Sequence, residues 1–273
     1  MILKGALDAL ASVVFPGPCR ICGRTLTNAS RVPVCEACLG GFERIGEPMC
    51  DCCGRPFTSA MTAQAAQPLC RLCRVNFFAF DRARSFAIHD DALSEAIVLL
   101  KYEEVARLGD WFAARLAEVL SNAAGDWSAD VLVPVPLHSI RRRERGYNQA
   151  ELIARPLAKR LNLTFQPNLL VRTKPRPPQL LLSRTERWAS VRGAYATREG
   201  AKVDKLRILL VDDVMTTGAT LDACARALKK AGAAAVLGLT VARVRFGSAV
   251  PQAVIDTRQS RSQEKLDGRQ QHP

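Results

Sequence analysis

The stretch LRILLVDDVMTTGATL, residues 206–221, decides the fold. It begins with an apolar, branched run, the pattern of a strand buried on both faces, and the strand is read over residues 206–213. Asp212 and Asp213 close it at the carboxyl end, a hydroxyl-rich turn follows, and from Thr220 a helical pattern runs to Ala231, stopped by Gly232. In an open parallel sheet, ligands settle outside the carboxyl ends of the strands. Thr216, Thr217 and Thr220 bring hydroxyl donors there, and Gly218 lets the backbone approach an anion. Ala219 sits where the first free N–H groups and the positive dipole end of the helix begin. The two acids repel phosphate but suit ribose hydroxyls or a bound Mg²⁺. A ribose 5-phosphate satisfies the whole set. A phosphate loop of the GxxxxGK type and a GxGxxG dinucleotide fingerprint are both missing, which excludes those two nucleotide sites. Helix capping alone needs one such polar residue, whereas this loop carries five.

Outward from this loop, strand-like runs alternate with helical ones. Residues 84–89, 130–136 and 233–243 read as strands; 91–104, 109–123 and 148–161 read as helices. This alternation predicts an α/β fold with an open, mainly parallel sheet covered by helices. Residues 171–192 are rich in Pro and Arg, and their first half reads as a long mobile loop, with a short helix over 184–192.

Before this domain lie four CxxC units, all within residues 19–73. Cys19 and Cys22 are followed by Cys35 and Cys38; Cys50 and Cys53 are followed by Cys70 and Cys73. Each set has the spacing of a zinc ribbon, two tight turns each offering two thiolates to one tetrahedral ion. Redox thiols are the alternative chemistry for such pairs. Four filled positions leave no open one, so two structural Zn²⁺ ions are expected. Gly23 and Gly54 follow the first pair of each set and permit the left-handed turn that aims amides at sulfur. Cys52 falls out of register and is read as a non-ligand; Cys224, alone on the last helix, is read as a small core residue.

The division expected is a helix over residues 1–15, a double zinc ribbon over 16–78, the α/β domain over 79–247 and a disordered tail over 248–273. With a net charge of +13 the chain is basic, and residues 139–192 carry 13 Lys plus Arg against 3 Glu. That excess favours a polyanion, although a solvated basic face has the same composition. The N-terminal apolar stretch is interrupted by Asp8 and lacks a cleavage site, and no membrane span is present, so a cytoplasmic location is expected.

VDDVMTTGATL resembles the signature of type I phosphoribosyltransferases. The wider chain resembles the ComF family of competence-associated proteins, on LLKY at residues 99–102, VPVPLHSIRRRERGYNQA at 133–150 and SRTERWASVRGAY at 183–195. The resemblance implies a double zinc ribbon joined to a phosphoribosyltransferase-like domain that takes phosphoribosyl pyrophosphate with Mg²⁺. Asp212 and Asp213 would hold ribose hydroxyls, and residues 216–220 would wrap the 5-phosphate. Val135, Pro136 and Leu137 would form the pyrophosphate loop, with Arg141 and Arg145 within reach of the diphosphate and Asn148 and Gln149 facing the site. Arg184 and Arg187 would be lid cations, although Leu180, Leu181 and Ser190 depart from the family pattern around the lid. Three roles follow from the resemblance and stay open on sequence: a binding protein that handles single-stranded DNA during uptake, an active phosphoribosyltransferase whose acceptor is unnamed, and a scaffold that docks a DNA helicase.

Overall fold

The computed structural model describes residues 17–26, 32–57, 68–102, 105–175 and 184–245. The expected N-terminal helix, the C-terminal tail and the middle of the Pro- and Arg-rich segment lie outside them.

Five strands form one parallel sheet: β1 (Arg82–Ile88), β2 (Val131–Pro134), β3 (Thr164–Phe165), β6 (Arg207–Met215) and β7 (Ala235–Arg243), in the order β1-β7-β6-β2-β3. A separate antiparallel pair joins β4 (Leu170–Arg172) to β5 (Tyr195–Thr197). The helices are α1 (Asp91–Tyr102), α2 (Ala106–Ser121), α3 (Ser139–Arg145), α4 (Gln149–Leu161), α5 (Arg184–Val191) and α6 (Ala219–Lys230). Two helical turns, Glu36–Gly40 and Arg71–Arg74, belong to the cysteine module. The expected α/β sheet is therefore present. Short elements escaped the sequence reading, among them α3, the two-residue β3 and the paired strands β4 and β5, each too short or too polar to show a period.

Side chains alternate across the sheet and build a core on each face. Ile208 and Leu210 join Val131, Val133 and Val236 beneath Leu221, Cys224, Ala225 and Leu228 of α6. Leu209 and Val211 join Leu132, Leu237, Leu239 and Val241 beneath α1, α2 and α4. Cys224 is fully buried and its thiol is pushed well up by burial, as a core residue requires.

The cysteine module grips β1, the outer strand. Cys19, Val34 and Phe42 of the first ribbon pack with the α2 side, while Cys50, Cys53, Leu72 and Cys73 of the second pack with the α6 side. Between them, the Ala83 N–H donates to Cys52 O at 2.7 Å, Ile45 N–H to Phe86 O at 3.1 Å and Ile88 N–H to Glu43 O at 2.8 Å. These bonds occupy part of a strand edge that would otherwise stand open to another chain.

Candidate functional site

Strand β6 runs two residues beyond the acids, to Met215, because Val214 and Met215 still pair with Ala242 and Arg243 of β7. This corrects the expected end at Asp213: the acids lie inside the strand, and the turn shrinks to residues 216–218. Gly218 is the N-cap of α6 with φ of 81°, and Thr217 Oγ1 accepts from Ala219 N–H at 3.3 Å. Thr216, Thr217 and Thr220 are half-buried around that helix end. A Cβ on Gly218 would lie 2.9 Å from both Met215 Cε and Phe78 Cε1. Gly218→Ala therefore combines a left-handed backbone with a close contact, and is expected to destabilise by about 1–2 kcal/mol in urea denaturation. Unchanged stability would show that the turn relaxes freely.

Asp212 and Asp213 are 9% and 5% exposed. The Asp213 N–H donates to Asp212 Oδ1 at 2.9 Å, and Asp213 Oδ1 accepts from Val214 N–H at 2.7 Å. Its other oxygen, Oδ2, faces Lys101 Nζ at 2.5 Å and accepts from Gln149 Nε2 at 3.4 Å. Gln149 Oε1 in turn accepts from Arg145 at 2.6 Å. Burial pushes the Asp213 carboxyl up, but the Lys101 ammonium outweighs it and holds the group below the usual carboxylate range. Lys101 is the member of this cluster that sequence reasoning missed. It lies in the quoted LLKY match, yet nothing in its spacing tied it to Asp213.

Asn148 caps α4, accepting from Ala150 N–H at 3.1 Å, and donates its amide to Val135 O at 3.0 Å. Tyr147 O–H donates to Leu100 O at 2.8 Å. The RGYNQ segment thus joins three things: the turn after β2, the end of α1 and the acid pair. Within that turn Val135 is committed on both sides, since its N–H donates to Val211 O at 2.8 Å and its carbonyl serves Asn148. Pro136 has no N–H, so of the three expected pyrophosphate-loop residues Leu137 is left to offer one. Arg141 is half-buried on α3, whose neighbour Arg142 pairs with Glu151 at 2.9 Å. The backbones of Arg184 and Arg187 lie in α5, while their side chains lie outside what is described. Trp188 of α5 packs on Phe77 and Phe78, with ring centroids 5.0 and 6.2 Å apart, which sets α5 beside the turn of residues 216–218.

The cysteines gather as two groups of four, Cys19, Cys22, Cys35 and Cys38, then Cys50, Cys53, Cys70 and Cys73, with sulfurs within 4.8 Å of one another in each. Four sulfurs about 2.3 Å from a central Zn²⁺ would stand about 3.8 Å apart. The observed Cys19–Cys38, Cys22–Cys35 and Cys53–Cys70 separations are 3.9, 3.7 and 3.7 Å. Gly23 and Gly54 are left-handed, with φ of 71° and 66°. Cys35 N–H points at Cys19 sulfur and Cys70 N–H at Cys50 sulfur, each at 3.3 Å. Burial opposes ionisation of Cys19, yet the backbone N–H groups of Cys22, Cys35 and Ile21 bring its thiol down to about 6. Cys52 stands outside both groups, as expected. The donor set and spacing fit two structural zinc ions.

The class follows from two family matches: residues 10–74 match the family model of a double zinc ribbon domain, and residues 105–265 that of a phosphoribosyl transferase domain. Competence protein ComFC of Bacillus subtilis is 30% identical over 77% of this chain and 84% of its own. DNA utilization protein YhgH of Escherichia coli K12 is 29% identical over 82% and 96%, and competence protein F of Haemophilus influenzae 32% identical over 45% and 57%. The chain belongs to the ComF family of double-zinc-ribbon, phosphoribosyltransferase-like proteins. Among the described residues no helix is long and apolar enough to cross a membrane.

Proposed function

We propose that the protein binds phosphoribosyl pyrophosphate, together with Mg²⁺, and serves DNA uptake in the cytoplasm by handling single-stranded DNA. The observation that carries the ligand is the turn of residues 216–218, with hydroxyls and a helix N-terminus, set beside two nearly buried acids. The 5-phosphate would lie against Thr216, Thr217, Thr220 and the first amides of α6. Asp212 and Asp213 would face the ribose hydroxyls, and Leu137 and Arg145 the diphosphate. When bound, Mg²⁺ would compensate charge on the diphosphate. The relatives' names, competence protein and DNA utilization protein, support the DNA role. So does helix α3, which presents Arg142 and Arg143 to solvent beside the exposed Ile140.

Calorimetric titration with phosphoribosyl pyrophosphate tests the ligand. Wild-type protein is expected to bind, and Asp212→Asn combined with Asp213→Asn to lose binding while keeping both zinc ions. Titration with labelled single-stranded DNA is expected to weaken steeply as salt rises; a flat response, or no binding at low salt, sinks the DNA role. Pyrophosphate release across a panel of bases and amines decides between ligand binding alone and phosphoribosyl transfer, the second reading that the family fold supports.

A further inference from the structure

Asp213 is heavily committed within the protein. Each of its carboxylate oxygens already has a partner within the protein, Oδ1 with Val214 N–H and Oδ2 with Lys101 and Gln149. The ammonium reaches it from the last turn of α1, the helix whose Leu100 carbonyl takes the Tyr147 hydroxyl. Lys101 Nζ therefore meets the acids of β6 at the same carboxylate oxygen that Gln149, at the start of α4, approaches. The side chains differ in access: that of Lys101 is 24% exposed, that of Asp213 only 8%. Residue 101 also falls between the two matched family regions, which end at 74 and begin at 105, so neither covers it.

Charge decides what such a lysine does. Two adjacent, nearly buried carboxylates repel a polyanionic ligand more strongly than exposed ones would. A neutral sugar hydroxyl relieves none of that repulsion, whereas a cation does. An ammonium has three N–H donors, and Asp213 takes one of them, so the group retains donors for a bound anion.

We propose that Lys101 is a ligand-binding residue of this site: its ammonium, paired with Asp213, bridges that carboxylate to the diphosphate when the ligand binds. It thereby supplies, from within the chain, part of the charge compensation otherwise left to Mg²⁺. This inference rests on the phosphoribosyl reading of the site.

The test is titration of full-length, zinc-loaded protein with phosphoribosyl pyrophosphate at trace and at millimolar Mg²⁺. Lys101→Met is expected to weaken binding about ten- to a hundredfold at trace Mg²⁺, the range for a lost hydrogen bond to a charged group. Millimolar Mg²⁺ is expected to restore much of it, so the variant depends on Mg²⁺ more steeply than wild type. Lys101→Arg, which keeps the charge, is expected to recover part of the affinity. A purely structural role would weaken binding equally at both Mg²⁺ levels, and that result overturns the proposal, as does unchanged affinity of Lys101→Met. If Lys101→Met fails to fold, Lys101→Gln carries the same comparison, since it removes the charge and keeps a donor for Asp213. If wild type itself fails to bind, the phosphoribosyl reading falls and this proposal falls with it.

Discussion

Cys53→Ser is expected to abolish the folded state, whereas Cys22→Ser is expected to lose one zinc ion and leave the sheet standing. The two thiols occupy equivalent places in equivalent ribbons and differ in surroundings. Cys53 is fully buried, in the same core as Leu72, Phe77, Val133, Ile208, Leu210 and Met215. Cys22 is exposed, and of its partners Cys19 is buried while Cys35 and Cys38 are half-buried at the margin of the other core. A structural zinc site contributes about 10–16 kcal/mol in isolated zinc-finger peptides, against about 5–15 kcal/mol for the net stability of a whole domain. Loss of the inner ion also strands three thiols in an apolar core, so the metal and its packing are lost together. Zinc analysis of purified variants, read beside thermal melts, checks the contrast. Equal melting of the two variants would mean that the inner ribbon is no part of the sheet's core.

Arg243→Met is the second large effect expected. Arg243 ends β7, the strand that pairs with both β1 and β6, and is 2% exposed. Its guanidinium donates to Cys53 O at 2.5 Å, meets Met215 sulfur at 3.1 Å and points a second nitrogen at Cys53 sulfur at 3.6 Å. Four thiolates around Zn²⁺ carry a net charge of about −2, and this buried cation is placed to offset part of it. Methionine keeps much of the volume and supplies no donor, so the Cys53 carbonyl loses its hydrogen bond and the metal site its counter-charge. The cost is expected to be about 3–5 kcal/mol, the range for breaking a buried charged interaction. Release of the inner zinc to a colorimetric chelator is expected to rise about 10- to 100-fold, as for other changes behind a metal ligand. Release at the wild-type rate would show that the guanidinium acts only through packing.

The parts legible in the sequence share a property: each is local. The β6–turn–α6 unit, the cysteine spacing and the glycines after each knuckle declare themselves within about twenty residues, because backbone geometry and metal coordination act over short distances. The entrance to α4 at Asn148 and Gln149 is legible for the same reason. What sequence left hidden depends on which distant elements meet. Lys101 and Asp213 come together only because the last turn of α1 reaches the acids of β6, and Arg243 reaches Cys53 only because the second ribbon lies against the sheet's edge. The commitment of the Val135 backbone has the same origin. Its backbone is consumed by Val211 and Asn148, partners that no reading of DVLVPVP alone identifies.

The grip of the ribbons on β1 has a consequence for how such a chain can be cut or recombined. Asp222, in the first turn of α6, accepts the Ala79 N–H at 2.8 Å, so the segment leaving the ribbon is stitched to the helix that follows the turn of residues 216–218. Excising the ribbon just before β1 would bare one strand edge and strip apolar cover from both faces of the sheet at once, leaving a fragment primed to pair with its own copies. A transplanted ribbon would need β1 and α1 to travel with it, and those elements lie in residues 75–104, between the two matched family regions. The heritable unit is therefore larger than the metal-binding module: it is the ribbon together with the strand it clasps and the helix that delivers Lys101.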